Sequence, residues 1–357
     1  MTDAVAPALA GLTAADMTEM LSSEHTPPFK VVSVTAEALP VQGGVCDLAK
    51  LTLEYDPPNA AGPASVVAKI PKADPGVRAA SVAVGLYERE RSFYAQLAQA
   101  VPLRVPGCFN PGDGDAAQRP LLLEDLTAMT AGDQVAGFTL EQTQALVDSL
   151  AELHATYWGD PRLDGPEFEW LLTPSHPEFS AGLEGVVAAS LDPFLARYTG
   201  RLPADALDVV VAGAADFPNI LAGCAAGPHT LIHFDTRADN WMFGPDGAPC
   251  LSDWQTCARM RGVHDVAYLI TGSVEADIQS ANWQELLRRY HTALTRHGVT
   301  DYSWDDCLAQ YREHVTCAML LMLVMIGTVA IKSERGEALA DAILSRAVRH
   351  ALEVGNR

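Results

Sequence analysis

Two short stretches constrain this chain more than any others: His233-Phe234-Asp235-Thr236-Arg237-Ala238-Asp239-Asn240 and Leu251-Ser252-Asp253-Trp254-Gln255. Between them lie an apolar triplet, Trp241-Met242-Phe243, a turn signal, Gly244-Pro245-Asp246-Gly247, and a second short apolar run that ends at Asp253. The pattern predicts a loop, a short strand, a tight hairpin and a second strand. Polar groups then sit at the mouth of a hairpin, where rigid backbone can fix them.

Those polar groups suit phosphoryl transfer with magnesium. Asp235 can accept the proton of an attacking hydroxyl. Asn240 and Asp253 supply the hard oxygen ligands that Mg²⁺ prefers, and the Arg237 guanidinium can meet a transferring phosphoryl group.

Charge narrows the partners. The 357 residues carry 45 acids against 24 bases, a formal charge of −21, which disfavours nucleic acid and anionic membranes. Such acidity suits a cationic substrate and solubility equally well. The seven cysteines contain no close Cys-x-x-Cys pair, and the N-terminus shows no basic region leading into an apolar segment. The expectation is reduced thiols in a cytoplasmic setting. The most apolar run, 318–331, is too short to span a bilayer and reads as a buried helix, so no membrane span is expected.

Before the hairpin, the chain reads first as sheet and then as helix. Thr13 can cap a short helix to about Leu21, with Asp16 as its partner. Residues 1–10 read as loose, and Pro27-Pro28 ends that unit. Strands are predicted at Phe29–Leu39, Cys46–Tyr55 and Ser65–Pro71, with Gln42-Gly43-Gly44 turning between the first two. Gly43 and Gly44 can bring backbone N–H groups close to phosphate, although a plain hairpin turn explains them equally well. Asp56-Pro57-Pro58-Asn59 is read as a surface connection. Lys69, read alone, is an ordinary lysine near a strand end, and Lys72 beyond Pro71 is expected to face solvent.

A helix is predicted from about Ser81 to Gln99. Glu90 shares the apolar stripe of Leu86, Phe93 and Leu97, while Glu88, Arg89 and Arg91 point elsewhere. A carboxylate aimed at the core wants a cation, and Lys69 is the obvious one. Strands around Val105–Phe109 and Pro120–Leu126 flank a Gly/Asp-rich turn at 110–118. Thr139 and Gln142 form a capping box for a long helix in which His154 edges the apolar stripe. Helices are also expected at 181–197, 203–223, 281–297, 304–327 and 334–353. Another starts near Arg259–Leu269, with Asp265 at its beginning able to satisfy free N–H groups.

The His-x-Asp, Asn240 and Asp253 set resembles the catalytic loop of the aminoglycoside phosphotransferase and choline-kinase-like superfamily. Its nearest likeness is to the ecdysteroid-kinase-like small-molecule kinases. Spacing matches the family pattern, but Phe234 replaces the usual glycine. The resemblance implies an α+β, bilobal protein-kinase-like fold, with a small antiparallel sheet lobe at 1–124, a larger mainly helical lobe at 125–357 and a hinge near 124–127. It implies an ATP-dependent kinase that phosphorylates a hydroxyl of a small molecule, with ATP and Mg²⁺ as cofactors.

Residue by residue, the resemblance places Gly43 and Gly44 over the nucleotide and Lys69, held by Glu90, on its phosphates. Backbone groups from Glu124 to Leu126 would meet the adenine edge. Asp235 and Arg237 would be catalytic, Asn240 and Asp253 would bind metal, and His233, Asp265 and His154 would support the loop. Trp158, Phe168, Trp170 and Phe179 fall where the family lines its acceptor pocket, with ordinary packing equally open. Competing readings are a catalytically silent nucleotide-binding protein, a metal-dependent phosphoester hydrolase using Asp235, Asp239 and Asp253, and a purely structural helical protein.

Overall fold

The structure is a computed structural model describing residues 12–22, 29–40, 43–58, 60, 62–112, 114–328 and 334–355. The expectations for residues 1–10, Pro27-Pro28, Gln42, Asn59 and the end of the 318–331 run lie outside the described residues. The chain divides into two compact units: Met1–Ala100 with Val105–Met129 and Ser252–Gln255, and Val101–Arg104 with Thr130–Leu251 and Thr256–Arg357.

The first unit opens with helix α1 (Ala14–Leu21), which starts at the predicted Thr13–Asp16 capping box. Strands β1 (Lys30–Ala38), β2 (Cys46–Asp56) and β3 (Ser65–Pro71) follow. Next come helices α2 (Pro75–Ala83) and α3 (Leu86–Gln96), then strand β4 (Leu121–Glu124). The sheet is antiparallel in the order β1-β2-β3-β4. Val66, Ala68 and Ile70 of β3 join Leu51, Leu122, Met17 and Met20 in its core. Because strand side chains alternate, Lys69 points from the opposite face. Its register neighbours are Leu48 on β2 and Leu121 on β4.

Several local expectations need correction here. The single helix expected at 81–99 is two, because Gly85 adopts a left-handed φ of 69° and breaks the run. Arg89 and Arg91, expected to point away from the core, are buried. Their guanidinium groups serve backbone carbonyls: Val84 and Gln255 for Arg89, and Asn110, Arg119 and Pro120 for Arg91. Lys72 is not simply solvent-facing but pairs with buried Asp47. The expected strand at 105–109 shrinks to one bridge, Cys108 opposite Leu123.

The second unit is mainly helical. Short strands β5 (Thr130–Ala131), β7 (Trp241–Phe243) and β8 (Pro249–Leu251) form one small sheet, and β6 (Thr230–Ile232) pairs with β9 (Ala258–Met260). The β7–β8 hairpin falls where the sequence predicts it. The helices are α4 (Leu140–Thr156), α5 (Pro177–Tyr198), α6 (Ala204–Cys224), α7 (Val263–Ser273), α8 (Ala276–Arg296), α9 (Trp304–Thr328) and α10 (Glu334–Gly355). Helix α4 starts at the predicted Thr139–Gln142 capping box. Helix α9 is central, packing against α5, α6, α7 and α10, while α4 lies against α8. Helices α5 and α6 are long and apolar enough to cross a membrane by length and composition alone, a test that core helices also pass. Each contains a proline, and both pack on α9.

This helical core holds histidines that burial keeps neutral. Burial pushes His264 down to about 4 and His350 to about 3. Each folded pKa lies below the unfolded value near 6.5, so the folded state binds fewer protons. Their stabilising contribution is complete above pH 6.5 and is lost as pH falls toward the folded values. We expect each to cost about 2 kcal/mol of stability by pH 5. Urea midpoints between pH 7 and 5 check this. His350→Gln, which can still partner the Tyr311 hydroxyl now 2.7 Å from His350 Nε2, should flatten part of the slope. A midpoint unchanged over that range would refute it.

Candidate active site

In the first unit, β3 and α3 bring together three of the predicted residues. Lys69 Nζ lies 2.6 Å from Glu90 Oε2 and 2.6 Å from Asp253 Oδ1. Burial works to lower the Lys69 pKa, but the carboxylates of Asp253 and Glu90 more than offset it and hold the ammonium charged. Burial, and then the neighbouring Asp253 carboxylate, push the Glu90 carboxyl up, while the Lys69 ammonium opposes both. Asp253 has a left-handed φ of 66°. Trp254 beside it stacks on Phe93 of α3, ring centroids 3.9 Å apart and planes 4° from parallel. Arg89 donates to the Gln255 carbonyl at 3.0 Å, and the Trp254 backbone N–H is directed at the Glu90 carboxylate. Helix α3 therefore holds the two residues that follow Asp253.

The other first-unit candidates lie apart from that triad in sequence. Neither Gly43 nor Gly44 needs left-handed backbone; a Cβ on Gly43 would lie 3.1 Å from the Cys46 carbonyl, while Gly44 borders open space. The Glu124 N–H donates to the Gly107 carbonyl at 2.7 Å, and its carboxylate accepts from the Gly107 N–H at 3.1 Å. Leu126 is buried and its carbonyl accepts from Met129 N–H at 2.9 Å.

In the second unit, the loop 233–240 is held from beneath by Asp265 at the start of α7. Its Oδ2 accepts the His233 N–H at 2.7 Å and its Oδ1 accepts the Phe234 N–H at 2.8 Å. His154 Nε2 lies 3.3 Å from Oδ2, and Nδ1 is 2.8 Å from the Tyr290 hydroxyl. A carboxylate only accepts, so Nε2 carries the proton and the Tyr290 hydroxyl donates to Nδ1. Burial alone would raise the Asp265 pKa; the His154 hydrogen bond and neighbouring imidazoles hold it below the usual carboxylate range. Asp265 thus serves the N–H groups of the loop, as the resemblance implied, rather than those of its own helix, as its place at the helix start suggested. The Asp265 carbonyl also takes the Thr236 hydroxyl at 2.8 Å.

Above this support, Asp235 Oδ1 is buried and accepts no hydrogen bond. Arg237 Nε lies 3.7 Å from Asp235 Oδ2. The Tyr268 hydroxyl faces Asp235; burial first, and then that carboxylate, push its pKa well up. Asn240 donates through Nδ2 to the Asp235 carbonyl at 2.8 Å, turning its amide oxygen the other way. Asp239 is tied to the Gln134 N–H at 3.2 Å.

Gln134 is a loop support that sequence reasoning missed. Its Oε1 accepts from Ala238 N–H at 2.5 Å and Ser273 Oγ at 3.0 Å, while its Nε2 donates to Gly272 at 2.7 Å. Arg346 of α10 donates to the Gln134 carbonyl at 2.7 Å. Nothing in a Gly-Asp-Gln-Val-Ala-Gly run marks that glutamine, because its partners are distant in sequence. Of the four candidate acceptor-pocket aromatics, Phe179 reaches the loop, its ring centroid 6.2 Å from that of Phe234. Trp158 packs on Tyr302, and Phe168 packs with Trp170.

The fold is the protein-kinase-like one. The chain resembles the ethanolamine kinase of Plasmodium vivax at 11% identity and TM-score 0.57, over 90% of this chain and 82% of that one. The choline kinase LicA from Streptococcus pneumoniae matches at 14% identity and TM-score 0.52, over 96% and 98%. The macrolide 2'-phosphotransferase MphH from Brachybacterium faecium matches at 15% identity and TM-score 0.50, over 92% and 97%. No curated protein matches the sequence. By sequence, the chain belongs to the phosphotransferase enzyme family, whose pattern matches residues 64–305.

Two substitutions probe the loop's support. Asp265→Ala strips the acceptor from three donors in a buried setting and should cost about 3–5 kcal/mol. Gly132→Ala places a Cβ 2.2 Å from the Ala238 carbonyl and should cost about 1–3 kcal/mol. Urea unfolding measures both, and a wild-type midpoint for either would contradict the packing described.

Proposed function

We propose that the protein is an ATP-dependent small-molecule kinase that moves the γ-phosphoryl group of Mg-ATP to an alcohol hydroxyl. The observation that carries this reading is the buried Lys69 shared between Glu90 and Asp253 in a chain of the phosphotransferase family. A lysine kept charged in a desolvated place is a cation prepared for phosphate oxygens, and the Asp253 carboxylate beside it is of the hard oxygen type that a divalent cation prefers.

Lys69 holds the nucleotide phosphates, and Glu90 keeps it aimed. Gly43 and Gly44 cover the nucleotide, and backbone groups at 124–126 meet its base, in a nucleotide lobe of 1–124 followed by a hinge near 124–127. Asp253 and Asn240 fit Mg²⁺ as hard oxygen donors, and the bound ion would offset phosphate charge. In the loop, the Asp235 oxygen that lacks a partner takes the proton of the acceptor hydroxyl as its oxygen attacks the phosphorus. Arg237 offsets the charge on the moving phosphoryl group, while His233, Asp265 and His154 hold the loop. Asp239 is engaged by Gln134, so we give it a structural part rather than the metal-binding one that a hydrolase would require. The sequence of the loop favours the ecdysteroid-kinase-like branch, and seven free thiols suit a reducing, cytoplasmic setting.

ADP release with Mg-ATP across choline-like, sterol, sugar and aminoglycoside alcohols tests the reading. We expect at least one acceptor to stimulate release, with Asp235→Asn lowering kcat by about 10²–10⁴-fold and Lys69→Ala raising KM for ATP. Full activity in Asp235→Asn would overturn the assignment of the base. Turnover of a phosphate ester without ATP would overturn the reaction.

A further inference from the structure

We infer that Phe234 and Phe179 form the acceptor-binding corner, and that the acceptor's hydroxyl is carried by an apolar ring or hydrocarbon rather than a polyol. This rests on the phosphotransferase reading of Asp235 and goes on to the class of molecule that the base serves.

The first observation is strain. Phe234 immediately precedes Asp235 and has a φ of 75°. In that left-handed region an L-residue other than glycine, asparagine or aspartate is an outlier that costs about 1–2 kcal/mol. The resembled family's loop has glycine at this position, which carries no such cost. The backbone has little freedom to relax, because the Phe234 N–H is spent on Asp265 Oδ1.

The second observation is where the ring goes. One face of Phe234 stacks on His264, centroids 4.8 Å apart and planes 16° from parallel, and Phe179 meets it at 64°. His264 is fully buried, whereas Phe234 and Phe179 each stay partly exposed. A ring whose task was to fill the core would be covered on both faces. This one is backed by an imidazole that burial keeps uncharged, and together with Phe179 it presents an angular aromatic surface one residue from the base. A flat or hydrocarbon group loses water to both rings, whereas glycerol has no continuous apolar face to lay on either.

Calorimetric titration and saturation-transfer NMR with 2-phenylethanol and glycerol test this, with ADP release in the presence of Mg-ATP followed on the same preparations. We expect wild-type protein to bind 2-phenylethanol in preference to glycerol. Phe234→Gly and Phe179→Ala should each weaken that binding by about tenfold, the effect of losing one aromatic contact. Phe234→Gly relieves the backbone, so a retained melting temperature shows the loss to be local. Asp235→Asn should bind 2-phenylethanol within about twofold of wild type, since charge at the base is not what holds the ring, yet release no ADP. Absence of 2-phenylethanol binding, preference for glycerol, or wild-type affinity in both phenylalanine variants would overturn the corner. The expected binding pattern with no ADP release from wild type for any alcohol would leave the corner in place and overturn the phosphotransfer reading instead.

Discussion

An ionised carboxylate removed from water survives only if its oxygens are occupied, and the loop 233–240 takes its shape from the one that meets this condition. Asp265 accepts two consecutive loop N–H groups and the His154 imidazole, and its own carbonyl takes the Thr236 hydroxyl. Desolvating such a group costs several kcal/mol, which charge-assisted hydrogen bonds of about 1.5–3 kcal/mol each offset only when all are made together. The arrangement therefore either forms as a whole or fails. His154 is fixed in turn by Tyr290, and the contact is so close that a Cβ on Gly262 would lie 2.6 Å from the Tyr290 hydroxyl and 2.8 Å from the His154 ring. A small residue at 262 is thus a condition for the geometry around Asp235.

The loop's other end is held independently. Gln134 captures the Ala238 N–H and ties Asp239, while Arg346 of the last helix secures Gln134. Residues 233–236 and 238–239 are thus pinned by different parts of the unit, while Asp235 Oδ1 is left without a hydrogen bond. Such over-determination permits strain. The two non-glycine residues with left-handed φ among the described residues are Phe234 and Asp253. Asp253 tolerates that region as aspartate often does. Phe234 does not, and its persistence requires both the Asp265 anchor and the stacking on His264.

What the sequence revealed follows from the range over which each signal acts. Capping boxes at Thr13 and Thr139, the β7–β8 hairpin and strand β3 depend on neighbours a few residues away, and all were legible. The pairing of Lys69 with Glu90 was legible too, because an acid in an apolar helical stripe demands a cation. The same stripe argument misplaced Arg89 and Arg91. Long side chains reach polar caps that lie beyond the stripe their Cβ atoms define, and here those caps are bare backbone carbonyls. Gln134 and Arg346 were invisible because their value lies in contacts made more than a hundred residues away. The break at Gly85 was readable in principle, but helical periodicity on both sides masked it.

The two clusters show opposite answers to one electrostatic problem. In the first unit a single cation is shared by two carboxylates, so Lys69 is held charged. In the second unit a single anion is overfilled by donors, so Asp265 is satisfied and leaves nothing to react. The contrast separates working groups from supporting ones on physical grounds. A supporting charge has no capacity left, whereas a working group retains an oxygen or a charge that the protein itself does not satisfy. Asp235 has a buried oxygen lacking any hydrogen-bond partner, which is why we propose it as the base, whereas His154 has both ring nitrogens engaged, which suits the supporting part we propose for it.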